Sequence, residues 1–134
     1  MRLGAALHRK YAQAPQPIYR FMFSDAFAFG FPPEPFALPA LTALLEREAP
    51  GAPWMIGGLG VDILPLVPHA VAAGDHVRVG LEDAPFGSPR ANRHWVESAV
   101  RAVDAAGGRP ASAAEVAECA RADRLGTRPS AGCL

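Results

Sequence analysis

Three short apolar runs, at 18–24, 53–58 and 76–81, alternate along this chain with amphipathic segments, and Pro or Gly closes most of them. That alternation constrains the fold more than any other feature. Strand, helix and strand in succession give parallel strands joined by right-handed crossovers, so the expected class is α/β. Leu3, Leu7 and Tyr11 recur at a four-residue spacing and predict the tail of a helix over 3–13. A strand at 18–24 follows Pro17, then a Phe-, Gly- and Pro-rich stretch at 25–35 reads as a long loop of the kind that often carries function.

Leu38, Leu41, Leu44 and Leu45 trace the next helix, which Pro50-Gly51 closes. PWMIGG at 53–58 is a buried strand. Asp62 is placed to cap the helix after it; Pro65 and Pro68 confine the regular part of that helix to about 67–73, and Gly74 ends it. Beyond the third strand, Asn92 is the expected cap of a helix with Val96, Ala99, Val100 and Val103 as its buried stripe. Ser112-Ala113-Ala114-Glu115 is a capping box that opens a last helix to about residue 123. One domain over 1–124 and a flexible tail at 125–134 are therefore expected.

Composition narrows the function classes. Thirteen basic and thirteen acidic residues cancel in the 134, and no basic stripe is present, so neither nucleic acid nor an anionic membrane surface is an expected partner. Every apolar run falls short of the roughly 18 residues of a spanning helix. The opening MRLGAALHRK places His8, Arg9 and Lys10 directly after a brief apolar patch, unlike a secretory signal. Cys119 and Cys133 fit no zinc or redox spacing; free thiols in a reduced, cytoplasmic protein are the expectation.

The stretch 74–83, GDHVRVGLED, carries the chemistry. On a strand, alternate residues share a face, so His76, Arg78, Gly80 and Glu82 lie on one side and Val77, Val79 and Leu81 on the other. Charges on a buried strand are costly unless they meet a partner, a ligand or a metal. In parallel α/β folds sites collect where strands end, and Ser24-Asp25, Gly57–Gly60 and Glu82-Asp83 all fall there, where together they can line one rim. A terminal carboxylate suits a cation and its neighbour a base; the alternative is a pair that merely orders the loop.

Arg78 suits recognition of a substrate carboxylate, or else a structural ion pair. His76 reads as a satisfied core histidine more than a ligand, and no H-x-H, H-x-x-H or H-E-x-x-H occurs. Gly57-Gly58-Leu59-Gly60 suggests either a phosphate loop or, in better accord with its spacing, a tight turn with close backbone approach. Phe27, Phe29, Phe31 and Phe36 either wall a pocket or close the core.

GDHVRVGLED, followed by Asn92, Val96-Glu97 and the RPASAAE segment at 109–115, resembles the C-terminal part of the β-keto acid cleavage enzymes, typified by 3-keto-5-aminohexanoate cleavage enzyme. Trp54–Gly60 is similar to that family's Trp-x-x-x-Gly-x-Gly strand. The likeness spreads over about residues 17–122 and is most specific at 74–83. Asp75 stands where the family usually has Gly, Ala84 where it has Asn, and Val116-Ala117-Glu118 interrupts its late Glu-Ala-Arg pattern.

The resemblance implies a TIM barrel, of which this chain would hold about the last three βα units and a C-terminal helix. It also implies a zinc-dependent reaction in which a β-keto acid and acetyl-CoA give acetoacetate and a new acyl-CoA. Glu82 would be the carboxylate ligand of the zinc, and Arg78 would pair with Asp83 near the general base. The family's H-x-H zinc ligands have no counterpart in this sequence, and three strands cannot close a barrel of about 250 residues. The chain alone is thus expected to be inactive, and homo-oligomerisation or association with the missing barrel half is expected. The competing expectations are a non-catalytic remnant or subunit that needs a partner, and a small phosphate-binding domain built on Gly57–Gly60.

Overall fold

The computed structural model describes residues 1–11, 13 and 16–124, with side chains through Cys119. Its elements alternate as expected: α1 (Arg2–Lys10), β1 (Tyr19–Phe23), α2 (Ala37–Glu48), β2 (Trp54–Gly58), a 3₁₀ turn at Leu64–Leu66, α3 (Val67–Ala72), β3 (His76–Val77), α4 (Asn92–Ala105) and α5 (Ala113–Arg124). The three strands form one parallel sheet in the order β1-β2-β3. The class is α/β. The tail expected at 125–134, and Cys133 with it, lies outside the described residues.

Strand alternation divides the sheet into two unlike faces. Tyr19, Phe21 and Phe23 of β1 are buried and stand level with Trp54, Ile56 and Gly58 of β2, with Phe21 stacked on Trp54 at 4.9 Å. Leu38, Leu41 and Leu45 of α2 and Val67 and Ala70 of α3 complete this core. Removing an aromatic or leucine side chain from water here stabilises the fold by about 1.5–3 kcal/mol each. The opposite face carries Arg20 and Met22, then Met55 and Gly57, then His76. Arg20 is exposed and Met22, Met55 and His76 are half-buried, so this face has no comparable cover.

Three expectations need correction. The third strand is expected over 76–81, but its ladder stops at Val77, with Arg78 donating one further hydrogen bond from its backbone N–H to the Ile56 carbonyl. Chain direction changes there because Gly80 to Ala84 close a turn, in which the Asp83 and Ala84 N–H groups both donate to the Gly80 carbonyl. Asn92 does not cap α4. Ala91, in extended conformation, holds that position, and Asn92 is the first helical residue. The buried stripe of α4 is Trp95 and Ala99, flanked by half-buried Ala102 and Val103, while Val96 and Val100 are exposed. Trp95, with its larger apolar surface, turns the helix by one position.

Other local signals hold in whole or in part. Gly51 and Gly74 adopt left-handed φ of +67° and +74° where their helices end. Ser112 and Glu115 form the reciprocal capping box, with Ser112 N–H donating to Oε2 of Glu115 at 2.7 Å and Glu115 N–H donating to Oγ of Ser112 at 3.3 Å. Asp62 Oδ1 accepts from the Leu64 N–H at 2.9 Å and so opens the 3₁₀ turn rather than α3 itself. The helix expected from Leu3, Leu7 and Tyr11 forms, but those three side chains are exposed and Ala5 is its buried residue. Among the described residues no helix is long and apolar enough to cross a membrane.

Candidate functional site

Parallel strands bring all three strand-end segments to one rim, as expected, and backbone contacts hold them together there. The Leu59 N–H donates to the Phe23 carbonyl at 2.9 Å, and the buried Ser24 hydroxyl donates to the Leu59 carbonyl at 2.7 Å. Gly60 then bridges to Pro85, which joins the loop after β2 to the loop after β3. Gly58 makes the junction possible. A Cβ on it would lie 2.8 Å from both the Asp83 and the Val61 carbonyl oxygens, which leaves no room for any side chain.

The 57–60 glycines thus serve close backbone approach. Gly60 is left-handed at φ +73° and the Phe86 ring lies against it, so this turn does not present an open anion cradle. Phe27, Phe29, Phe31 and Phe36 do not close the core; all four are exposed. Phe27 stacks on Phe29 at 5.2 Å and meets Phe86 edge-on at 6.0 Å, which makes an aromatic patch on the rim.

Arg78 organises the polar part of the rim. Its Nη2 donates to Oε2 of Glu82, and its Nε lies 3.5 Å from Oδ2 of Asp83. The two neighbouring carboxylates nevertheless sit in unlike surroundings. The Glu82 side chain is 72% exposed and that of Asp83 only 6%. Burial pushes the Asp83 carboxyl above its ordinary value; the Arg78 guanidinium opposes that shift and the charge of Glu82 adds to it. Asn92 steadies the turn, because its Oδ1 accepts from the Leu81 N–H at 3.1 Å.

Beneath this turn lies a small hollow of about 10 Å³ lined by Val61, Asp62, Ile63, Val79, Asp83 and Trp95. Such a space holds about one water. Asp83 is one of the residues lining this hollow, and its carboxyl meets Arg78; a carboxylate so held can accept and return a proton. Sequence reasoning did not single out Phe86, Trp95 or Arg20. For Arg20 a signal existed, since it alternates with buried Tyr19 and Phe21 and so shares the face of Arg78.

Glu82 by itself does not make a metal centre. Catalytic zinc takes three protein ligands, and among the described residues no three His, Cys, Asp or Glu side chains come together to hold an ion. His76 stands level with Met55 inside the sheet rather than beside Glu82. The described residues do not fit zinc on their own, and the chemistry available to them is that of Arg78 and Asp83.

Parallel strands between helices, with an arginine-carboxylate cluster at the carboxyl ends of the strands, define the class: a βα-repeat protein with a candidate site on the strand-end rim. The model of the beta-keto acid cleavage enzyme family, BKACE, matches residues 1–120, and the chain belongs to that family. No curated protein matches the chain.

Proposed function

We propose that Arg78, Glu82 and Asp83 form part of the site of a β-keto acid cleavage reaction, in which a β-keto acid and acetyl-CoA give acetoacetate and a new acyl-CoA. The observation that carries this reading is Arg78 holding one exposed and one buried carboxylate at the strand-end rim of a chain in this family. With Nε and Nη2 engaged, Arg78 keeps Nη1 for a substrate carboxylate, which a planar guanidinium suits. Asp83, with its affinity for protons raised by burial, is suited to take a proton from the carbon between keto group and carboxylate.

In the proposed assembly this chain supplies about three βα units of a TIM barrel, and its half-covered sheet face, with Arg20, His76 and Arg78, points inward. A zinc ion there would take Glu82 as its carboxylate ligand and the rest of its ligands from beyond the described residues. When bound, it would polarise the ketone. Barrel closure would come from a second copy or from a partner bearing the other strands, and the protein would work in the cytoplasm.

Acetoacetate formation, followed with a panel of β-keto acids, acetyl-CoA and zinc, tests the proposal. The chain alone is expected to be inactive. Placed behind about five βα units of a beta-keto acid cleavage enzyme, enough to make the eight of a closed barrel, it is expected to turn over. Glu82→Gln in that assembly is expected to abolish both zinc retention and turnover; retention of both overturns the assignment.

The second reading is a non-catalytic subunit that folds only with a partner, and the half-exposed sheet face favours it. Near-UV circular dichroism and zinc analysis of the isolated chain discriminate. A monomer with sharp tertiary signal and stoichiometric zinc refutes the subunit reading.

A further inference from the structure

Arg20 lies on the half-covered sheet face, on the edge strand β1, and no ion-pair or hydrogen-bond partner holds it among the described residues. It stands level with Met55, which in turn stands level with His76. One step further along β2, Gly57 has no side chain. The position its Cβ would take is 3.4 Å from Cδ of Arg20 and 3.9 Å from Cβ of Arg78. Two arginine stems, rooted two strands apart, therefore lie against one buried glycine. Neighbouring strands are about 4.8 Å apart and Arg20 sits two residues behind the level of Arg78, so the two roots are separated by about 12 Å, and the Arg20 stem leans across Gly57 into that gap.

The two cations differ in charge balance. Arg78 faces two carboxylates, Glu82 and Asp83. Arg20 faces none among the described residues, so the uncompensated positive charge on this face is at the Arg20 end. A ligand whose first carboxylate meets Arg78 would present its far end to Arg20 across Gly57, over whose buried backbone the Arg20 stem leans.

We propose that Arg20 and Arg78 form a two-point anion site across Gly57, in which Arg20 takes a second carboxylate distal to the keto group, so that the substrates are β-keto dicarboxylic acids. This rests on the β-keto acid reading of Arg78 given above and narrows it to a substrate class. Arg20 is a specificity residue in this scheme, since it touches the end of the substrate that does not react.

Calorimetry with glutarate and butyrate, stable acids of similar length that differ by one carboxylate, tests the proposal on the purified chain. Glutarate is expected to bind about tenfold more tightly, the gain of one charge-assisted contact at an exposed site. Arg20→Leu is expected to erase that preference and Arg20→Lys to keep part of it. Because Arg20 is exposed, far-UV circular dichroism of both variants is expected to match the parent.

Arg78→Leu is expected to weaken both acids. Equal binding of the two acids by the parent, absence of binding, or an unchanged preference in Arg20→Leu each overturns the dicarboxylate site. Tighter binding of inorganic phosphate than of glutarate also overturns it, and assigns the cation to a phosphate group such as those of CoA. If Arg20→Leu erases the preference while Arg78→Leu leaves both affinities unchanged, the anion site at Arg20 stands and the β-keto acid reading of Arg78 fails.

Discussion

Arg78 Nε lies 3.5 Å from Oδ2 of Asp83, although the Asp83 side chain is nearly sealed from solvent and that of Arg78 is 30% exposed. The guanidinium reaches the buried carboxyl from the open sheet face, so one side of the pair is dry and the other wet. Burial outweighs this attraction, and the Asp83 carboxyl stays above its ordinary value. A group with a raised folded value favours the fold while protonated; that contribution is present below its ordinary value of 3.8 and lost as pH rises through the raised one. Urea midpoints across this window are expected to fall with pH in the parent and to stay flatter in Asp83→Asn. In the completed barrel the same substitution is expected to lower turnover about 10²-fold or more, as removal of a general base does. A steeper pH dependence in Asp83→Asn contradicts the assignment.

Gly58→Ala forces a methyl group to within 2.8 Å of two backbone carbonyl oxygens, of Asp83 and Val61, and neither can swing aside as a side chain would. Destabilisation by about 1–3 kcal/mol is expected. Urea denaturation checks it, and a parent-like midpoint would show that the loops after β2 and β3 are less tightly joined than described.

Asp75 Oδ1 accepts from the Trp54 N–H at 3.0 Å, at the start of β2. Asp75→Ala leaves that N–H without its acceptor and is expected to cost about 1–2 kcal/mol. Hydrogen exchange at Trp54 is expected to quicken in the variant. An unchanged Trp54 rate would remove Asp75 from the account of the sheet.

Glu115 closes the capping box on Ser112 and also receives Arg109, and these contacts hold its carboxyl down at about 2. A lowered folded value stabilises above the ordinary 4.5 and is lost as pH falls from there to about 2. Fraying of α5 over that window is expected in the parent, read by amide exchange at residues 113–118. In Glu115→Gln the pH dependence is expected to vanish, with faster exchange already at neutral pH.

What was legible in the sequence follows from local physics. Apolar spacing, Pro and Gly punctuation and the Ser112–Glu115 box each act within a few residues, so element order, the parallel α/β class and most element ends could be read from the chain. The 74–83 stretch likewise pointed to the family that residues 1–120 match. Strand length was not legible, because Val77, Val79 and Leu81 alternate as a strand whether or not a neighbour pairs with them. Pairing stopped at Val77, where β2 itself ends soon after and the Gly80 turn begins. The choice of Trp95 over Val96 on α4 was settled by packing against the core side, which periodicity alone leaves open by one position.

The candidate site divides in the same way. The sequence by itself determined that Arg78, Glu82 and Asp83 are near one another, since they lie within six residues. Only the tertiary structure decided that one carboxylate is exposed and the other buried, because burial depends on Gly58, Val61 and Trp95, which chain topology brings to the turn. It also decided that Arg20, 58 positions before Arg78, leans over the same glycine. Charge and periodicity are written into each residue, whereas the dielectric around a carboxylate and the partner of an arginine are properties of distant segments brought together.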